Sequence, residues 1–267
     1  MSEADLYEVY AVKYGTLAAR TRRDNFIAAD DHETSMPIDY FVWAIVNPQR
    51  TIVVDTGFER QEGKRRGREI LRLPREGLAM LGIDAAKVRD VVVTHLHYDH
   101  AGTLDDFPVA RFHVQELELA YSTGPFMCSD TFSHAYSADH VCTLVRRLFE
   151  GRVAFHSGEA EIAPGVSVHH IGGHTMGMQS VRVRTRRGWV VLASDACHFY
   201  ENMERSMPFP IVYHLFDMVM GWDKLKRLAE TPEHVVPGID PLVLRRYPAP
   251  KPELEGIVVR LDVAAKH

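Results

Sequence analysis

Cysteine is scarce in this sequence, which contains three among 267 residues: Cys128, Cys142 and Cys197. Their number is odd, they are far apart, and no pair shows Cys-x-x-Cys spacing. These features argue against a disulfide framework. We therefore expect a reduced, cytoplasmic protein.

The sequence also contains no long apolar run, and its excess of negative charge is small. No apolar run approaches the roughly 20 residues of a membrane-spanning helix, and the start, MSEADLYEVY, lacks the pattern of a signal peptide. The net charge of −5 gives no electrostatic case for a nucleic acid or an anionic membrane as partner. The basic run at residues 60–75 has no interleaved aromatic platform, so we interpret it as a solvated loop and helix face.

The apolar pattern predicts strands in two batches, each accompanied by helices. Alternating or continuous apolar stretches predict strands near residues 6–16, 40–47, 51–57, 88–95, 109–114, 166–172, 179–185 and 188–194. Helical spacing occurs near residues 74–83, 139–150 and 216–230. This arrangement favours an α/β fold with two sheets packed together and covered by helices. No linker-like segment interrupts the chain, so we expect one domain over residues 1–267, with a covering insertion around residues 121–150.

The stretch THLHYDHAG, residues 94–102, concentrates metal-binding side chains. It places His95, His97, Asp99 and His100 directly after the apolar run at residues 91–93. Side chains at i and i+2 of an extended segment point the same way, so His95 and His97 can reach one metal together. Zinc and similar metals prefer imidazole nitrogens and carboxylate oxygens. The pattern therefore predicts a metal site at the end of a strand.

Two later segments carry suitable partners for this cluster. His174 follows a predicted strand in IGGHTMGM, and Asp195 ends another in VVLASDACHF. The glycines before His174 allow the backbone to approach a site closely. Because each residue stands at a strand end, as His95 does, the segments can converge on one edge of the sheets.

In this order, the HxHxDH element, the GGHT at residues 172–175 and the SDA at residues 194–196 resemble the metallo-β-lactamase superfamily. The DTG at residues 55–57 also fits, and the resemblance extends from about residue 40 to 245. THLHYDHAG, SDA and the late PGxDP turn are more similar to the N-acyl homoserine lactonase branch than to glyoxalase II or true β-lactamases. The resemblance implies a four-layer αβ/βα sandwich of two mixed sheets flanked by helices, with metals at one edge.

The resemblance also implies two metal ions, expected to be zinc. The first would be held by His95, His97 and His174. The second would take Asp99 and His100, and Asp195 would bridge the two.

One expected ligand of the second metal is absent. The family normally adds a histidine in a late turn of PGHD type, whereas this sequence reads PGID, with Ile239 at that position. Isoleucine cannot bind a metal, so we expect the second zinc to be held more weakly. Either water completes the second site or another side chain takes over, the candidates being Asp240, His198, His214 and His234.

The resemblance further indicates residues that act on the substrate. Lactonases of this branch often carry a tyrosine shortly after the bridging aspartate, where it can hydrogen-bond the substrate carbonyl. Here His198 stands three residues after Asp195, and Tyr200 follows two residues later; either could orient a carbonyl oxygen. Asp99 would move the proton to the leaving group.

These features predict a metal-dependent hydrolase that opens an N-acyl homoserine lactone or an aromatic lactone by attack of a metal-bound hydroxide. Alternatives are hydrolysis of another ester, an aryl ether or a phosphodiester on the same scaffold, or a degenerate member that binds metal without catalysis. Apolar residues near positions 125–132 and 199–216 favour a partly hydrophobic small-molecule substrate. A homodimer is compatible with the resemblance, since superfamily relatives often dimerise.

Overall fold

The computed structural model describes residues 5–28 and 33–266. Its first sheet runs in the order β13-β1-β2-β3-β5-β6-β7, and β4 pairs with β1. The strands are β1 (Glu8–Leu17), β2 (Ile38–Asn47), β3 (Arg50–Val54), β4 (Glu69–Ile70), β5 (Asp90–Val92), β6 (Arg111–Gln115), β7 (Val153–His156) and β13 (Val258–Arg260). The pairs β13–β1, β1–β2 and β2–β3 are antiparallel. The pairs β3–β5, β5–β6 and β6–β7 are parallel.

The second sheet has the order β12-β11-β10-β9-β8. Its strands are β8 (Glu159–Ala163), β9 (Val166–His170), β10 (Gln179–Thr185), β11 (Gly188–Ser194) and β12 (Val235–Pro237). Only the β11–β12 pair among these described strands is parallel. Both sheets are therefore mixed.

The described part of the chain also contains nine α-helices, some of which cover the outer faces of the two sheets. They are α1 (Arg22–Asn25), α2 (Arg60–Arg66), α3 (Pro74–Ala79), α4 (Glu116–Ser122), α5 (Asp130–Ser133), α6 (Ala138–Phe149), α7 (Tyr200–Arg205), α8 (Leu215–Leu228) and α9 (Leu242–Arg246). On the first sheet, Leu78 of α3 and Leu144 of α6 pack into an apolar cluster with strand residues such as Val91. On the second sheet, Met218 and Trp222 of α8 pack in another.

A third apolar cluster lies between the sheets and joins them. Trp43 and Ile45 of β2 pack there with Val181 of β10 and Leu192 of β11, and all four are at most 1% exposed. Burying a side chain of this size stabilises the fold by about 1.5–3 kcal/mol. The three clusters separate four layers, which confirms the predicted sandwich of two mixed sheets flanked by helices.

The segment predicted to cover the sheet contains mainly short helices. A 3₁₀ turn (Pro125–Cys128) and α5 precede α6, whose span agrees with the helix predicted near residues 139–150. The basic run at residues 60–75 forms α2 and the start of α3, and Glu62 pairs there with Arg65 and Arg66. Among the described residues, no helix combines the length and apolar character needed to cross a membrane.

Candidate metal centre

The predicted ligands lie in loops that leave the ends of strands from both sheets. His95 follows β5 of the first sheet, His174 follows β9, and Asp195 directly follows β11 of the second sheet. Thr94 of the first sheet's loop meets Ser194 at the end of β11, their hydroxyl oxygens being 2.9 Å apart. The two sheets therefore bring the three loops to one edge of the sandwich.

The first group of ligand atoms comes from His95, His97 and His174. One nitrogen of each lies within 4.8 Å of the others. The Nδ1 of His97 is 3.0 Å from the Nε2 of His174. The Ile211 carbonyl lies 2.8 Å from the other nitrogen of His174 and so fixes the orientation of its ring. The sequence-predicted set for the first metal is thus brought together.

The second group comes from His95, His100 and Asp195, with Asp99 beside it. The Nε2 of His100 is 3.5 Å from the Oδ1 of Asp195 and 3.6 Å from the Oδ2 of Asp99. The Oδ2 of Asp195 faces the other way and is 3.5 Å from the Nε2 of His174. The carboxylate of Asp195 therefore reaches both groups, as a bridging ligand would.

A third group adds His198 to His174 and Asp195. The Nε2 of His198 is 3.1 Å from the Oδ2 of Asp195. The His198 ring stacks on Phe209, with centroids 3.6 Å apart and planes 12° apart, which holds the imidazole against the cluster. His198 thus belongs to the same buried site as the predicted ligands.

Several atoms of this cluster are buried yet make no hydrogen bond to any described residue: His95 Nε2, His100 Nε2 and Asp195 Oδ1. Leaving a buried polar atom without a partner costs about 1–3 kcal/mol. Imidazole nitrogens and carboxylate oxygens are also the donors that zinc and related divalent cations prefer. The residues present therefore fit a metal ion at this position.

The protonation of the first group suits metal binding. Burial, reinforced by the neighbouring imidazoles, lowers the pKa of His95 and of His97 well below the ordinary value. Burial also lowers the pKa of His174 to about 3. All three rings are therefore neutral at pH 7, which is the form of imidazole that donates a lone pair to a metal.

Carboxylates surround His100. Burial disfavours its charged form, but Asp195, Asp99 and Asp55 outweigh that effect and raise the pKa of His100 well above the ordinary value. This local excess of negative charge attracts a cation to the second group.

Asp55, in the DTG element, orients His100 from behind. Its Oδ2 lies 2.7 Å from the Nδ1 of His100, and its carboxylate also accepts hydrogen bonds from the Thr94 backbone and hydroxyl at 2.7 and 2.8 Å. Asp55 has a φ of 60°, a conformation that aspartate and asparagine tolerate better than most residues. A carboxylate behind a histidine in this way fixes the ring nitrogen that faces a metal.

Glu118, which the sequence pattern did not indicate, is a buried carboxylate that contacts both ligand-bearing loops. It accepts hydrogen bonds from the backbone N–H of Leu96 and from the Thr175 hydroxyl. The available signal was a glutamate on the face of α4 that also carries Tyr121 and Ser122, both buried. Spacing on one face of a helix reveals burial but not the partner.

Tyr200 requires a correction, because the structure does not direct it into the cluster. Helix α7 begins at Tyr200, and the carboxylate of Asp240 accepts its backbone N–H at 3.1 Å. The Tyr200 ring packs in the apolar layer between the sheets, under the guanidinium of Arg246 at 3.8 Å. Its position is that of a core residue.

The four candidates to replace the missing histidine ligand differ in whether they lie at the metal centre. Among them, His198 alone is part of the described groups of ligand atoms. Asp240 caps backbone N–H groups, His214 is half exposed and pairs with Asp217, and His234 lies near Arg187. Ile239 is buried, and its N–H donates to the His198 carbonyl at 3.3 Å.

The sequence matches a known protein family over most of its length. The family model for the metallo-beta-lactamase superfamily matches residues 37–238. An N-acyl homoserine lactonase from a Bacillus species is 29% identical over 154 residues, which cover 57% of this chain and 54% of the relative. N-acyl homoserine lactonase AiiB from Agrobacterium fabrum is 33% identical over 129 residues, covering 48% of this chain and 47% of the relative. The chain thus matches about half the length of these curated relatives.

Solved structures share the fold over a larger part of the chain. A quorum-quenching N-acyl homoserine lactone lactonase superposes with a TM-score of 0.73 at 19% identity, covering 90% of this chain and 94% of the other. AidC, a dizinc quorum-quenching lactonase, superposes with a TM-score of 0.67 at 12% identity, covering 90% of this chain and 92% of the other. At these identities the likeness shows the fold alone. Because the family model spans more than half of the sequence, the chain belongs to the metallo-beta-lactamase superfamily of metal-dependent hydrolases.

Proposed function

We propose that this protein is a metal-dependent hydrolase that opens lactones, with an N-acyl homoserine lactone or an aromatic lactone as substrate. The observation that carries the proposal is the sharing of Asp195 between two groups of ligand atoms in one buried cluster. The curated relatives named as N-acyl homoserine lactonases support the choice of a lactone.

His95, His97 and His174 would hold one cation, zinc by their chemistry. Asp99 and His100 would hold a second, and Asp195 would reach both. Bound here, divalent cations would supply a water of lowered pKa and a Lewis acid for the carbonyl oxygen. The second cation would be held more weakly, because Ile239 supplies no ligand atom.

The reaction adds water across the ring ester. The water oxygen forms a bond to the carbonyl carbon, the bond from that carbon to the ring oxygen breaks, and the product is a hydroxy acid. Asp99 receives the proton of the attacking water and delivers it to the leaving ring oxygen. Its side chain is 12% exposed whereas that of Asp195 is 6% exposed, so Asp99 is the ligand-set carboxylate that a substrate meets more readily.

His198 orients the substrate carbonyl in this proposal. Its ring is held by the stack on Phe209, and its Nε2 lies against Asp195, within the cluster where the ester would react. An N–H held close to the developing negative charge of the carbonyl oxygen stabilises the transition state.

An aromatic group beside His174 supports a partly hydrophobic substrate. The backbone N–H of Tyr213 donates to the carbonyls of Gly173 and His174 at 2.8 and 3.1 Å. The Tyr213 ring packs edge-on against Tyr121 and Phe126, at 5.0 and 5.4 Å between centroids. In this proposal these rings, which pack beside the loop that carries His174, contact an acyl chain or an aromatic ring of the substrate.

The proposal is tested by incubating the zinc-loaded protein with N-acyl homoserine lactones of several chain lengths and with aromatic lactones. Ring opening is followed by acid release and by the mass of the hydroxy acid. The same preparation is tested on an aryl ester, an aryl ether and a phosphodiester. We expect turnover of lactones at least comparable to that of the other esters.

Two outcomes would overturn this proposal. Turnover of the ester, ether or phosphodiester with no turnover of any lactone would indicate a different hydrolase on the same scaffold. Retention of zinc without turnover of any compound would indicate a member that binds metal without catalysis. Asp195→Asn serves as the control, since it should abolish turnover that depends on the cluster.

A further inference from the structure

Glu118 is fully buried on α4, and its carboxylate accepts four hydrogen bonds. Oε1 accepts from the Leu96 backbone N–H at 2.8 Å and from the Tyr136 hydroxyl at 3.0 Å. Oε2 accepts from the Thr175 hydroxyl at 2.6 Å and from the Gly177 backbone N–H at 3.1 Å. The donors come from three separate segments of the chain.

Two of these segments carry the ligands of the first metal. Leu96 lies between His95 and His97, and Thr175 directly follows His174. Oε1 of Glu118 thus binds the loop that carries His95 and His97, and Oε2 binds the loop that carries His174. A hydrogen bond contributes about 0.5–1.5 kcal/mol, so the four that Glu118 accepts connect the two loops firmly.

The third segment connects Glu118 to the ring of His97. The Tyr136 ring packs edge-on against His97 with centroids 4.6 Å apart, and residues 97 and 136 form an isolated β-bridge. Loss of Glu118 would therefore release His97 on two sides, at its own loop and at Tyr136.

Gly177 shows how closely the second loop approaches α4. A Cβ atom at Gly177 would lie 2.1 Å from the backbone nitrogen of Glu118, which no side chain allows. The absence of a side chain at this position lets the loop after His174 sit directly on the helix that presents the carboxylate.

We propose that Glu118 is a positioning residue that sets the spacing between His97 and His174 and thereby the affinity of the first metal. It does not touch the metal or the substrate, and it acts by holding both ligand loops against α4. The proposal rests on the metal centre of the proposed function and is independent of the substrate.

The test is the zinc affinity of Glu118→Gln, measured without substrate by competition with a chromophoric chelator. Glutamine keeps the shape but presents an NH₂ group to donors that need an acceptor, so one loop loses its partner. We expect the affinity for the first zinc to fall about 10–100-fold, the range seen when groups that orient metal ligands are removed. In the cobalt-substituted protein, the visible absorption should change as the histidine geometry relaxes.

Two milder variants keep the test decisive if Glu118→Gln does not fold. Tyr136→Phe removes one hydroxyl from Oε1, and Thr175→Val removes one from Oε2. Each should lower the zinc affinity below that of the parent protein, and parent-like affinity in both variants would overturn the inference.

The matched control is Asp262→Asn. Asp262 is also a buried carboxylate, and it accepts from the Val9 backbone and from Arg260 in a different part of the first sheet. It should lower the free energy of unfolding without changing zinc affinity. Parent-like zinc affinity in Glu118→Gln, or an equal loss in Asp262→Asn, would overturn the inference. Neither result depends on lactone turnover, so failure of the proposed function would be recognised separately.

Discussion

The Nδ1 of His97 lies 3.0 Å from the Nε2 of His174, although 77 residues separate them in the sequence. Burial keeps both imidazoles neutral, because it lowers the pKa of each. Two neutral rings can share one hydrogen between these nitrogens, or they can both turn a lone pair to a cation. The second arrangement is the one that would hold a metal ion.

Ile239→His should strengthen the second metal. Ile239 borders the site: its N–H donates to the His198 carbonyl, and a Cβ atom at the preceding Gly238 would lie 2.6 Å from the Oδ1 of Asp195. The parent protein should keep one zinc through extensive washing and lose most of the second. The histidine variant should keep both, as elemental analysis would show, with an affinity gain of about tenfold or more.

Ile239→Leu is the control for this prediction, because it changes the side-chain shape without adding a nitrogen. It should behave as the parent does. Retention of two metals per chain by the unaltered protein after the same washing would contradict the claim that Ile239 weakens the site.

Asp99→Asn should slow turnover while leaving KM nearly unchanged. An amide can remain near the metal but cannot carry a proton between water and the leaving oxygen, so kcat should fall about 10²–10⁴-fold. Steady-state kinetics on the best lactone would check this after metal content has been equalised. A kcat within about threefold of the parent at equal metal content would remove Asp99 from the proton transfer.

Asp55→Asn should weaken the second metal by about 10–100-fold, since Asp55 orients His100 through its Nδ1. Asparagine tolerates the positive φ of this position, so the variant removes the charge and one acceptor oxygen without straining the backbone. Zinc competition would measure the effect. Ser194→Ala removes a hydroxyl that lies 3.3 Å from the same carboxylate and 2.9 Å from the Thr94 hydroxyl, but it leaves the contact between Asp55 and His100 in place and should cost much less. Equal losses in both variants would argue against the orienting role.

His198→Phe and His198→Tyr separate two roles of one side chain. Phenylalanine keeps the stack on Phe209 without a donor, so kcat should fall about 10²–10³-fold while metal content stays the same. Tyrosine restores a donor and should recover much of the rate. Loss of metal in both variants, with no recovery in His198→Tyr, would instead identify His198 as a metal ligand.

The α/β architecture was predictable from the sequence because it depends on local patterns, whereas the assignment of ligands to two metals came from the resemblance to a family. Apolar runs mark the strands, and the ligands stand at strand ends, where parallel and mixed sheets gather their loops. Eight of the thirteen described strands lie where such patterns predict them. The expectation for Tyr200 failed because spacing from Asp195 does not reveal that α7 begins at this residue and directs its ring into the core.

Residue types and their spacing therefore determined by themselves which side chains could bind metal, since imidazole and carboxylate chemistry does not depend on the fold. Tertiary structure alone decided which of them meet. It brought His198 rather than Asp240, His214 or His234 to Asp195, and it placed Glu118 between loops that are 22 and 57 residues away from it along the chain. Contacts over such separations arise from the packing of two sheets and their helices, which no local pattern encodes.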